Sequence, residues 1–171
     1  MALGSLQQQQ QPQQRKWLSI HHGVVELSDN GQKQSYSFVE GRLLSIYKKQ
    51  RNYRGEDVLK WFIDLKDDGG DLYSISFPYS SGTFKSIVLA LASATDLTAS
   101  TITKIQPYQK GNFTNVRVFA DGAKLDWITK ELPPVELLNL NGKTIKDDGK
   151  RMELITSLVE QINQRAKRSE K

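Results

Sequence analysis

Aromatic rings and cations recur side by side along this chain. Lys48, Lys49, Arg51 and Arg54 surround Tyr53, with Tyr47 just before them. Lys60 stands two residues from Phe62, and Arg117 two residues from Phe119. Tyr108, Lys110 and Phe113 crowd around Gly111. Residues two apart on a strand project from the same face, so Lys60 with Phe62 and Arg117 with Phe119 each set a charge beside a ring. Contact with single-stranded nucleic acid is the chemistry that uses this pairing. Cations follow phosphates and flat rings stack on bases, each stack contributing roughly 1–3 kcal/mol whatever the base.

Each ring also has a packing role open to it. Trp61 shares a strand face with Leu59, Ile63 and Leu65 and reads as core. Tyr73 and Phe77 share a face with Ile75 and also read as core, although Tyr73 at the strand start can turn toward a cleft. Phe62 fits equally under an N-terminal strand or a C-terminal helix, and Phe119 can rest on that helix. The segment around Tyr53 could be no more than a solvated loop. A ring set among four cations favours binding instead.

Other chemistries lack parts. Cysteine is absent, which excludes disulfides, thiolate metal sites and cysteine nucleophiles. The two histidines, His21 and His22, are adjacent; on one strand they point to opposite faces and cannot share a ligand. Asp67, Asp68 and Asp71 flank Gly69-Gly70 and fit a hairpin turn better than a calcium loop. Asn141-Gly142-Lys143-Thr144 resembles the end of a phosphate-binding loop, but Leu137 stands where its first glycine belongs. No catalytic residue, metal ligand or cofactor site is expected.

The elements that must position these residues are legible from pattern. Of 171 residues, 37% are apolar and 25% charged, with 24 Lys and Arg against 19 Asp and Glu, a net charge of +5. That suits one folded domain with tails and is compatible with nucleic acid. Seven glutamines between Gln7 and Gln14 mark residues 1–16 as a disordered tail. Without a secretory signal or membrane span, a cytoplasmic location is expected.

Strand-forming runs begin at Trp17 and continue through Gly23–Leu27, then from Tyr36 to Tyr47, with Gly41 as a bulge or bend. A polar loop is expected over 48–55. Leu59–Lys66 alternates as a half-buried strand, and Leu72–Phe77 follows. Phe84, Ile87, Val88, Leu91 and Ala92 then keep helical spacing, with Ser80 or Ser81 as N-cap. Two further strands, Ser100–Tyr108 and Thr114–Ala120, precede Pro133-Pro134. A last helix over about 148–167 carries Met152, Ile155, Leu158, Val159 and Ile162 on one stripe.

Three strands, a helix and two strands is the order of the OB-fold, a five-stranded Greek-key barrel. The expected architecture is therefore mainly β: this barrel over 17–130 with an extra N-terminal strand, then a Pro-containing linker and amphipathic helix over 131–171. Phe38–Leu43, Leu59–Leu65 and Lys110–Val118 together resemble OB-fold single-stranded DNA-binding proteins of the phage or mobile-element type. The resemblance spans Tyr36 to Trp127 and lies in the order and texture of segments. It implies a non-enzymatic protein that coats single strands in DNA replication or recombination, with no membrane association and with homo-oligomers open to it. Housekeeping members end in an acidic tail, whereas this chain ends in Arg165, Lys167 and Arg168. Lys48, Lys49, Arg51, Tyr53, Arg54, Lys60, Phe62, Tyr73, Tyr108, Lys110, Phe113, Arg117 and Phe119 are the candidate contacts. An RNA-binding OB module and a structural protein of a phage-like element remain alternatives.

Overall fold

The computed structural model describes residues 15–29 and 31–169; the expectation for the glutamine tail lies almost wholly outside them. The fold is mainly β. β1 (Arg15–His21), β2 (Val24–Asp29) and β3 (Gln32–Tyr36) precede the long β4 (Val39–Tyr53). β5 (Glu56–Lys66) and β6 (Leu72–Pro78) complete a meander, and α1 (Gly82–Ser93) leads to β7 (Ile102–Lys110), β8 (Phe113–Ala120) and the short β9 (Ala123–Lys124). A separate hairpin, β10 (Glu136–Leu140) and β11 (Lys143–Asp147), then leads to α2 (Gly149–Ala166). No helix among the described residues is long and apolar enough to cross a membrane.

Nine strands form one sheet in the order β3-β2-β1-β6-β5-β4-β7-β8-β9. The helix falls between the third strand of the meander and the next hairpin, as expected. The expected closed five-stranded barrel is not what forms. The outer edge of β6, where such a sheet would close, is taken by β1 in parallel register, Arg15 opposite Leu72 through Leu18 opposite Ile75. Three N-terminal strands therefore extend the sheet, not one. The sheet still curls until the β1–β2 turn meets the β7–β8 hairpin: the Gly23 N–H donates to Thr114 Oγ1 at 3.2 Å. A side chain at Gly23 would lie 2.7 Å from the Gln109 nitrogen, so only glycine permits this approach.

Two-residue turns hold the hairpins. His22-Gly23, Arg54-Gly55, Asp121-Gly122 and Asn141-Gly142 all have positive φ at both positions, the geometry whose twist matches that of paired strands. The polar segment 48–55 is thus not a loop; β4 and β5 run as a ladder out to Tyr53 opposite Glu56. His22 lies in a turn and not on β1 with His21. The 131–171 segment is more than a linker and helix, because Asn141-Gly142 turns a hairpin there.

The β4 irregularity lies at Leu44, between the pairs Leu43–Leu65 and Ser45–Asp64, not at Gly41. One extra residue re-phases the alternation, so that Leu43 and Ile46 are both buried. Gly41 is needed for a different reason: a Cβ there would lie 2.8 Å from the Lys66 carbonyl oxygen.

One core holds the inner sheet face and both helices together. Trp61, Ile63, Leu65, Ile75, Phe77 and Ile105 pack with Phe84, Ile87, Val88 and Leu91 of α1 and Met152, Ile155, Leu158, Val159 and Ile162 of α2. Trp61 stacks on Phe84 at 4.7 Å, which settles its role as packing. Ser81 caps α1 by accepting the Phe84 N–H at 3.1 Å. The basic end of α2 closes the exit of α1: Arg165 donates to the Ala92 carbonyl at 2.7 Å, and Arg168 to those of Thr95 and Leu97 at 2.8 and 2.7 Å. Carbonyls at a helix C-terminus have no partner within the helix; Arg165 supplies one for Ala92, and Arg168 fastens the segment that follows.

Candidate nucleic-acid interface

Register decides which side chains share the outer face. Tyr47 lies opposite Phe62, Lys49 opposite Lys60 and Arg51 opposite Val58, while Phe62 faces Ser76 on β6. Trp17 on β1 lies opposite Ser74. By the two-residue period all of these project away from the core. On the other half of the sheet, Glu40 pairs with Lys104, and Lys104 with Phe119, Gln106 with Arg117 and Tyr108 with Asn115. Those residues occupy the same face beyond the bulge.

The first group of candidates converges on β1. Phe62 is 3% exposed, so it is not an open platform. Trp17 meets its edge at 6.1 Å and Tyr47 stacks on it at 5.4 Å. The Arg51 guanidinium lies 5.4 Å from the ring centres of both Trp17 and Phe62, and Arg15 lies 5.5 Å from Trp17. Trp17 itself is 43% exposed. With Arg51, Asn52, Tyr53, Val58 and Lys60 it lines a cavity of about 590 Å³. At the ribbon tip Arg54 lies 5.3 Å from the ring of Tyr53, which is 62% exposed. Lys49, Arg51, Tyr53, Arg54, Lys60 and Phe62 are therefore brought together.

Beneath this group a buried carboxylate fastens β1 to the sheet. Asp64 Oδ1 accepts from the Ser74 hydroxyl at 2.6 Å and the Tyr47 hydroxyl at 3.3 Å. Its other oxygen lies 3.7 Å from Arg15 Nη1. A buried charge needs such partners to offset lost hydration. β5 is thus covered on both faces at its centre, not half-buried as its alternation suggests.

The second group lies roughly 20 Å away along β4, counting seven residues from Tyr47 to Glu40 at strand rise. Arg117 lies 4.1 Å from the ring of Tyr108. Lys104 lies 4.4 Å from Phe38 and 5.4 Å from Phe119. Phe113, 74% exposed, projects at the β7–β8 tip beside Lys110, the tip that abuts the β1–β2 turn.

Two candidates lie elsewhere. Lys48 occupies the opposite face, 5.5 Å from the Trp61 ring. Tyr73 faces inward with Ile75 and donates to Asp67 Oδ2 at 2.8 Å. Burial, then the Asp67 hydrogen bond and charge, push its hydroxyl up to about 12. It lines a separate cavity of about 450 Å³ with Lys16, Leu18, Tyr36 and Phe38. The Asp67 carboxylate loses hydration on burial, which raises its pKa. Hydrogen bonds from Tyr73 and from the Asp71 and Gly69 amides, together with the Lys16 charge, outweigh this and hold it below the ordinary range.

Sequence reasoning passed over Arg15, Trp17, Phe38 and Lys104. A signal for the first two was present: Arg15 stands two residues from Trp17, the same spacing as Lys60 with Phe62. An N-terminal strand over Phe62 was one of the two packing places its sequence left open, and the structure puts β1 there; that β1 arrives by pairing in parallel with β6, more than fifty residues distant, was not readable. No family model, no curated protein and no solved structure matches this chain.

Proposed function

We propose that this protein binds single-stranded nucleic acid along the outer face of its sheet, as a non-catalytic protein that coats single-stranded DNA in replication or recombination. The single observation that carries this reading is an unneutralised charge pattern. Lys49, Arg51, Arg54, Lys60, Lys104, Lys110 and Arg117 lie on that face or its hairpin tips, and among the described residues none has a carboxylate oxygen within 4.0 Å. Four of these seven, Arg51, Arg54, Lys104 and Arg117, rest against an aromatic ring instead. Phosphates can reach the charges and bases the rings, so binding is tolerant of sequence. In this reading β4–β8 with α1 form an OB-type unit of the phage or mobile-element kind, with β1–β3 standing where a barrel would close.

Mobility shift with labelled single-stranded and duplex oligonucleotides at low salt tests the proposal. Retention of the single strand with clearly weaker duplex binding is expected. Equal affinity for the two, or no shift at all, refutes it. Competition between matched DNA and RNA strands separates the DNA reading from an RNA-binding module, because only RNA offers a 2′-hydroxyl.

A further inference from the structure

We propose that Trp17 is a base-stacking residue and that Arg51 is its placeholder in the free protein; this rests on the single-strand reading above. Between β1 and the β4–β5 ribbon the Trp17 and Phe62 rings meet nearly at right angles, 75° apart, and the Arg51 guanidinium lies 5.4 Å from both ring centres, beside the half-exposed indole. A planar cation occupies this slot because an indole face attracts one. An unpaired base is also planar and stacks on the same face. When it enters, Arg51 turns out of the slot to the adjoining phosphate, where its bidentate fork is well matched. Arg51 is free to leave, being exposed with no carboxylate within 4.0 Å among the described residues.

Trp17 is fixed where Arg51 is not. β1 is held by its ladder to β6 and by Arg15 against the buried Asp64, so the ring stays in place as the cation departs. The surrounding groups suit a base edge and its backbone: Asn52 can donate or accept, Lys60 is cationic and Ser76 carries a hydroxyl. A paired base has both faces covered by its neighbours in the stack and cannot enter. The slot therefore gives a physical cause for preferring single strands over duplex.

The test uses the full chain and an oligothymidylate of about 12 nucleotides, within the range of a single site of this type. Trp61 is buried and Trp127 is exposed, so a Trp127→Phe protein leaves Trp17 as the exposed indole. Its fluorescence is expected to fall on titration. Trp17→Ala should weaken binding by roughly five- to a hundredfold, the factor that one lost stack represents, and Trp17→Phe should restore most of it. Arg51→Ala should keep the quench while flattening the salt dependence by one phosphate contact. If mobility shift shows single-strand binding but the Trp127→Phe protein is not quenched, the slot is not a base site and the proposal falls, whatever Trp17→Ala does to folding. No shift with any oligonucleotide refutes the underlying reading, and this proposal with it.

Discussion

Asn163 performs the work of a missing strand, and replacing it with alanine is the sharpest test of how the outer face is held. β4 pairs with β7 only over Val39–Arg42. Beyond that point its free edge turns toward α2, where the Ile46 N–H donates to Asn163 Oδ1 and Asn163 Nδ2 donates to the Ile46 carbonyl, both at 2.8 Å. One side-chain amide thus reproduces both bonds of a ladder partner. Asn163→Ala leaves two backbone groups without partners. Each costs about 1–3 kcal/mol when buried; at this half-buried site the lower half applies, giving about 2–4 kcal/mol in total. Against a domain stability of about 5–15 kcal/mol, that should lower Tm by roughly 5–15 °C. Urea unfolding followed by circular dichroism measures it, with the exposed Gln164→Ala as control. Asn163→Asp sharpens the test: the carboxylate still accepts from the N–H but opposes the carbonyl, so its deficit should lessen near pH 4, where the acid can donate. A loss under about 0.5 kcal/mol for Asn163→Ala, within the range of neutral surface changes, would refute the reasoning.

Further outcomes follow from the same contacts. Replacing Arg165 and Arg168 together by methionine should cost about 2–4 kcal/mol, since charged hydrogen bonds to partly buried carbonyls are lost, while folded protein binds oligonucleotide as before; thermal unfolding and mobility shift check the two halves. If all seven unneutralised cations contact phosphate, log affinity against log salt should have a slope of about −5, and Lys60→Ala with Lys104→Ala should reduce its magnitude by about 1.4; fluorescence titration at several salt concentrations reads this. Arg54 sits at φ +51°, which Asn tolerates better than Arg. Arg54→Asn should therefore stabilise the fold by about 0.5 kcal/mol while weakening oligonucleotide binding, separating stability from affinity in paired unfolding and binding measurements. The Tyr73 hydroxyl ionises later in the folded state, so its contribution to stability is full below the ordinary tyrosine value of about 10 and is lost as pH rises through about 12. The stability difference between wild type and Tyr73→Phe should be constant at neutral pH and shrink across that window in urea titrations.

What the sequence determined by itself was local, and only where a strong period or cap marked it; the polar ribbon of residues 48–55 and the Asn141-Gly142 hairpin carry no such mark and were missed. The 3.6-residue stripes of Phe84–Ala92 and Met152–Ile162 place both helices, because one face of each must leave water. The alternation of Leu59–Lys66 places β5, and Ser81 caps α1 because a hydroxyl there reaches a free amide. Ring and cation spacing singled out most of the outer-face residues for the same reason: residues two apart on a strand share a side. Only the tertiary structure decided what covers each face. The bulge at Leu44 inverts the phase of β4, β1 occupies the edge of β6 parallel to it, and Arg165 and Arg168 turn inward to carbonyls at the end of α1 and in the segment after it. Each of these depends on a partner distant in the chain, and a pattern with a period of two or 3.6 residues carries no record of which distant segment will meet it. Phe62 shows the consequence: its own strand set it outward, and Trp17, forty-five positions earlier, covered it.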